Sequence, residues 1–152
     1  YNIMALNFNK YAQEGNECMK NLATKQGHPD QIPRTGIILR AVMHTLRERL
    51  TISENLHLMA QLPMFLKAVY VDNWKYREKP LQLSTLDEFT EEVKKYQSQY
   101  GENEFNWEKH TKDIVSIVLQ ELVTYVSKGE SEHIKAQLPK ELEEFFSQSV
   151  KK

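Results

Sequence analysis

Between Ile38 and Leu50 the apolar residues Ile38, Ala41, Val42, Leu46 and Leu50 recur close to every 3.6 positions, the stripe through which an amphipathic helix buries one side. Arg40, His44, Arg47 and Arg49 fall mostly off that stripe and are expected to form its solvated face. A sparser version of the pattern runs from about Tyr11 to Gln26 through Cys18, Met19 and Leu22, with Gly15 as its weak point. From about Asn106 to Val126, the residues Ile114, Val115, Ile117, Val118, Leu119, Leu122, Val123 and Val126 cover most of the helical circumference, which predicts a central helix. A last pattern sets Leu142, Phe145 and Phe146 against Lys140, Glu141, Glu143 and Glu144.

Stop and start signals divide these runs. Gly27-His28-Pro29-Asp30 ends the first helix, because glycine suits a left-handed C-terminal position and proline cannot continue the hydrogen-bond ladder. The second helix begins near Pro33. Thr51-Ile52-Ser53-Glu54, Thr85-Leu86-Asp87-Glu88 and Ser127-Lys128-Gly129-Glu130 each have the form of a capping box, in which the hydroxyl accepts from a free amide and the glutamate reaches back to the cap residue. Pro63 pushes Leu62 out of helical geometry, so the helix begun at Thr51 is expected to end near Gln61 and a short fourth one to open at the proline.

The phrase Ala60-Gln61-Leu62-Pro63 recurs as Ala136-Gln137-Leu138-Pro139, a shift of 76 positions at which Leu46 meets Leu122, Glu54 meets Glu130, His57 meets His133 and Leu66 meets Leu142. The expected fold is therefore all-α, with two tandem copies of a four-helix unit packed into one compact domain, related by a pseudo-two-fold or a stacking step. The first copy spans about 8–71 and the second about 85–148. The joining segment 72–84 contains Trp74, Tyr76, Leu81 and Leu83, too many apolar or aromatic residues for a free linker, and reads as an ordered loop.

Composition narrows the function classes. A 152-residue chain, 40% hydrophobic and 27% charged, can bury roughly 68–70% of its unfolded surface without staples. The lone Cys18 cannot form an intramolecular disulfide and reads as a small apolar filler, which with the absence of a secretory pattern makes the cytoplasm the default compartment. Met4 reads as a native start, with residues 1–3 as an appended remnant. The net charge is −1 with no long basic run, so nucleic acid is not an expected partner, and no apolar stretch is long enough to span a membrane. Glycine-rich phosphate loops, Cys-x-x-Cys pairs and nucleophile elbows are missing, so catalysis is the minority reading and no cofactor is implied.

Two constellations remain. Glu54 and His57, and Glu130 and His133, repeat the Glu-x-x-His spacing by which helices of ferritin-like bundles ligate two metal ions. Such a centre needs further glutamates from two other helices, and the patterned runs offer only Glu48 and Glu121, which are not equivalent positions. The plainer reading makes each glutamate a helix cap. The second constellation is a mismatch: Ile52, Leu56, Met59, Met64, Phe65 and Ala68 stand where the other copy has Lys128, Glu132, Lys135, Lys140, Glu141 and Glu144. Either the joining segment or the second copy covers these apolar residues internally, or they form a surface for a protein partner or a second copy of the chain.

Asn7-Phe8-Asn9-Lys10-Tyr11-Ala12, the Gly27–Asp30 turn, the stretch from Ala41 to Thr51 and both Ala-Gln-Leu-Pro phrases resemble the bacterial domain of unknown function 2267 family, from about Phe8 to Phe146. The resemblance implies an all-α fold in a bacterial protein and brings no catalytic residues with it. The function expected is a non-enzymatic helical module acting through protein contacts, with a metal- or small-ligand-binding bundle as the alternative.

Overall fold

A computed structural model describes residues 6–102 and 110–143, and every described element is helical. The helices are α1 (Phe8–Lys25), α2 (Ile32–Arg49), α3 (Ile52–Gln61), α4 (Met64–Val71), α5 (Leu86–Gln99), α6 (Thr111–Val123) and α7 (Lys128–Lys135), and the chain turns helical again at 140. Residues 1–5, 103–109 and 144–152 lie outside the described set. With them go the expectations for Met4, for the start of the helix near Asn106, for Phe145 and Phe146, and for the end of the second copy.

Glycine ends α1 and α5 in the same way. Gly27 and Gly101 take φ of 88° and 108°, a left-handed conformation that costs other residues steric energy. After α1, Gly27 and His28 donate to the carbonyls of Thr24 and Ala23; after α5, Gly101 and Glu102 donate to those of Ser98 and Gln97. Each set is a Schellman closure that satisfies carbonyls the helix leaves open. A two-pronged ion pair from Arg34 of α2 to Glu102, with Nε to Oε2 at 2.6 Å and Nη2 to Oε1 at 3.1 Å, then ties the end of α5 to the start of α2.

The most enclosed of the described helices is α2. It packs on α1, α4, α5 and α6, and every residue from Ala41 to Glu48 is buried. The expectation of a solvated face at His44 and Arg47 is therefore wrong, and Arg40 and Arg49 are only partly exposed. The expected central helix, α6, is the second most enclosed: it packs on α1, α2 and α5 and buries Ile114, Val115, Val118, Leu119, Leu122 and Val123. One core joins them to Leu22, Met43, Leu58, Leu66, Tyr70, Phe89, Val93 and Leu142. Burial at about 25 cal/mol per Å² makes this cluster the main source of stability.

The two Ala-Gln-Leu-Pro phrases are joints. Leu62 and Leu138 are both buried, and each proline carbonyl accepts from the amide three residues on, Pro63 from Leu66 and Pro139 from Leu142. Pro63 is the N-cap of α4 and stays outside the helix, because its ψ of 159° is extended. Thr51, Thr85 and Ser127 all cap as expected, accepting from the amides of Glu54, Glu88 and Glu130. Among these three only Thr85 forms the full reciprocal box, with Glu88 Oε1 accepting from the Thr85 amide at 3.0 Å. The Ser127 amide instead donates to Gln61 Oε1 at 2.6 Å, a link from the end of α3 to the start of α7 that leaves the Glu130 carboxylate free to turn elsewhere.

Candidate functional site

The apolar residues singled out from Ile52 to Phe65 separate into two groups. Ile52, Leu56 and Met64 are exposed, Leu56 to 54% and Met64 to 43%. Met59 and Phe65 are partly buried against the core. Phe65 meets the Tyr125 ring edge to face at 6.5 Å between centroids and lies over Gly15 of α1. The residues 76 positions on from the exposed trio, Lys128, Glu132 and Lys140, are exposed too. Helical geometry puts Ile52 and Leu56 one turn apart on the same side of α3.

The two Glu-x-x-His segments meet, because α3 packs against α7. His57 and His133 are exposed, whereas Glu130 is buried and its Oε2 has no partner within the protein. Burial raises the Glu130 carboxyl above its ordinary range; the imidazoles of His57 and His133 pull it back and the Glu54 carboxylate adds to the rise. Glu54 accepts from its own cap hydroxyl, Thr51, through Oε1 at 2.9 Å. Among the described residues no three His, Cys, Asp or Glu side chains are grouped so as to hold a metal ion, so this seam brings the four residues to one neighbourhood without assembling a ligand set.

A buried polar network that the periodicity did not reveal lies where α2, α4 and α5 converge. Helices α2 and α4 end without glycine, and side chains from other elements take over the duty of capping them. For α2, the Asn55 Nδ2 donates to the carbonyls of Arg47, Leu50 and Thr51 at 2.9–3.2 Å. For α4, Arg47 Nη1 donates to the Tyr70 carbonyl and, at 2.8 Å, to that of Asp72; Nη2 reaches Asn73 at 3.2 Å. His44, one turn earlier on α2, bonds the Val69 carbonyl through Nε2 at 2.8 Å. A carbonyl only accepts, so Nε2 carries the proton and Nδ1 accepts from the Tyr100 hydroxyl. Positive charge beside the last turn of a helix also complements its dipole.

The joining segment closes the network. The Trp74 ring packs edge to face on Tyr70 and receives the Arg47 guanidinium at 5.7 Å. Glu48 accepts from Arg77 Nε through Oε2 at 2.7 Å and from the Tyr96 hydroxyl through Oε1 at 2.7 Å, and its backbone carbonyl accepts from the Leu81 amide. Burial holds His44 down from an ordinary 6.5 to about 4, with Arg47 and Arg40 opposing its protonation further. Burial likewise pushes the phenols of Tyr70 and Tyr96 up. A local signal existed in the sequence: four ionisable residues of one helix, His44, Arg47, Glu48 and Arg49, leave little room for a dry stripe, and Asn55 stands inside a short helix where it is a poor former.

Cys18 belongs to a separate cluster with Glu121 and Tyr125. Its thiol donates to Glu121 Oε2 at 3.7 Å, the oxygen that also accepts from the Tyr125 hydroxyl at 2.9 Å. Burial and the Glu121 charge push the thiol up to about 12, so it stays protonated and lacks nucleophilic character.

None of the described helices is long and apolar enough to cross a membrane. No curated protein matches the chain. The family model described as "uncharacterized conserved protein (DUF2267)" matches residues 16–145, a span holding all seven named helices except the opening turns of α1. The helical architecture and the family agree with the resemblance carried by the Gly27–Asp30 turn and the doubled Ala-Gln-Leu-Pro phrase, and the chain belongs to the DUF2267 family.

Proposed function

We propose that the protein is a non-enzymatic helical module, built from two copies of a four-helix unit, that acts through protein contacts made by the Ile52, Leu56 and Met64 face of its first copy. The observation that carries the reading is the difference between equivalent, equally wet positions: apolar in one copy, Lys128, Glu132 and Lys140 in the other. Large apolar side chains in water forgo about 25 cal/mol per Å² of contact that a partner would restore. Methionine and leucine on a helix suit a partner helix, since they repack readily. A second copy of the chain is the occupant we favour, because a net charge of −1 sets up little long-range repulsion between copies.

Sedimentation equilibrium of the wild-type chain against Leu56→Asp and Met64→Asp tests this. A concentration-dependent dimer in the wild type that becomes a folded monomer in both variants supports self-association. A wild type that stays monomeric up to high micromolar concentration removes it. Phe65→Asp is the internal control and is expected to lose folding, because that ring is packed on α1 and Tyr125.

A further inference from the structure

Beyond the buried network, the surface between α5 and the joining segment opens into a cleft of about 590 Å³, walled by Arg47, Glu48, Lys75, Arg77, Tyr96 and Tyr100. That size falls in the range of small-molecule sites, roughly 300–1,000 Å³. Its charge is unbalanced: three cations face a single carboxylate. Both oxygens of Glu48 are already engaged, by Arg77 Nε and by the Tyr96 hydroxyl. Arg47 spends its Nη groups on neutral carbonyls and forms no ion pair among the described residues, and its Nε has no partner within the protein. Lys75 is exposed and likewise forms no ion pair among the described residues.

Asn73, Gln99 and three tyrosines complete the wall, and two of the tyrosine rings are fixed. Tyr96, in the last turn of α5, and Tyr100, its C-cap, stack with their planes 25° apart and their centroids at 5.7 Å, and the Arg40 guanidinium lies over the Tyr100 ring at 5.7 Å. Their hydroxyls are tethered to Glu48 and His44 and Tyr100 backs Tyr96, so the Tyr96 ring is preset and a ligand need not order it. Arg77 uses only its Nε on Glu48, leaving both Nη groups to offer the forked geometry that matches phosphate and carboxylate oxygens.

We propose that this cleft binds a small organic oxyanion, a phosphate or carboxylate carried on a planar ring, with Arg77 and Lys75 on the anionic oxygens and the Tyr96 ring against the ligand's ring. A polyanion is a poorer fit, because the chain as a whole is slightly acidic and carries no long basic run. The site is separate from the Ile52–Leu56–Met64 face and does not depend on it.

Isothermal titration of the full chain with adenosine 5′-monophosphate, benzoate, adenosine and inorganic phosphate decides the matter. Saturable binding of the monophosphate or of benzoate is expected, with the bare ring and the bare anion each weaker by roughly tenfold or more. Binding of the monophosphate alone identifies phosphate chemistry, and binding of benzoate alone identifies carboxylate chemistry. Lys75→Glu and Arg77→Gln should each weaken the ligand roughly tenfold. Lys75→Glu removes no interaction that holds the fold, so its melting temperature should match the wild type. Absence of binding by both charged ring probes overturns the proposal, as does affinity indifferent to Lys75→Glu.

Discussion

Tyr70 and Asn55 are hydrogen-bonded in the interior, the phenol donating to the side-chain oxygen of Asn55 while the amide of the same residue closes the end of α2. The pair thereby fixes the angle between α2, α3 and α4 at the point where the chain makes two sharp turns. Asn55→Leu would leave the Arg47, Leu50 and Thr51 carbonyls and the Tyr70 hydroxyl without this partner, at about 1–3 kcal/mol for each group that remains buried and unsatisfied. The expected loss in urea unfolding is about 3 kcal/mol or more. Tyr70→Phe removes one bond and should cost about 1–2 kcal/mol. A Tyr70→Phe loss equal to or above that of Asn55→Leu would show that the α2 cap contributes little.

His44 makes stability depend on pH in one direction. Its folded value of about 4 lies below the ordinary 6.5, because the ring is buried and faces Arg47 and Arg40. Between those values the unfolded chain binds a proton that the folded chain refuses, so stability is whole above pH 6.5 and falls as the pH drops toward 4. One such group gives a slope of at most about 1.4 kcal/mol per pH unit. Protonation of Nδ1 also turns the acceptor for Tyr100 into a donor, which breaks the bond as it stands. Chemical denaturation across this window should show a steep fall for the wild type and a shallower one for His44→Gln. Parallel curves would mean that other groups carry the acid sensitivity.

Arg47 depends on its shape as well as its charge. Three N–H bonds to the carbonyls of Tyr70, Asp72 and Asn73 and a face against Trp74 require the planar fork, which lysine lacks. Arg47→Lys should therefore destabilise by roughly 2–4 kcal/mol, since hydrogen bonds from charged donors contribute more than neutral ones. Measured with Trp107→Phe in both chains, so that Trp74 is the sole tryptophan, loss of its fluorescence anisotropy alongside the lowered midpoint would place the damage at the end of α4. A lysine variant as stable as the wild type would refute the capping role.

The contrast between the caps that sequence revealed and those it did not has a physical basis. Thr51, Thr85, Ser127 and Gly27 act within a few residues of themselves, so their spacing along the chain is their signature. Asn55 reaches back eight residues to Arg47, and Arg47 reaches forward to the end of α4, so their roles exist only once the helices are packed. Periodicity placed His44 and Arg47 in water because it scores side chains one by one; polar groups turned inward onto helix ends break that rule. The α3–α4 face divided for a related reason. Leu56 and Phe65 have the same apolar character in sequence, and only the presence of Gly15 and Tyr125 opposite Phe65 decides which is dry.

Glu130 should act on stability opposite to His44. Its carboxyl is raised by burial, so the folded chain holds the proton to a higher pH than the unfolded chain does, and stability falls as the pH rises from the ordinary 4.5 through the folded value. Glu130→Gln removes the charge while keeping the shape and the Ser127 cap, which uses the Glu130 backbone amide. The variant is expected to equal or exceed wild-type stability at pH 7, with the difference vanishing at acidic pH. A clear loss at pH 7 would instead show that attraction to His57 and His133 outweighs desolvation.

Gly15 sits in the interior of α1, where glycine costs about 0.8–1.0 kcal/mol relative to alanine. A methyl group built there would meet Phe65 Cβ and Cγ at 3.4 Å, with Cδ2 at 3.5 Å, which is close contact without overlap. Gly15→Ala should therefore gain up to about 1 kcal/mol, less whatever the Phe65 ring gives up in moving a few tenths of an ångström. Gly15→Val adds two more carbons to the same gap and should reverse the sign by forcing Phe65 off Tyr125. Thermal melts of the two variants, one above and one below the wild type, would establish that α1 and α4 are held at a fixed separation by Phe65. Two variants on the same side of the wild type would show that this contact yields freely.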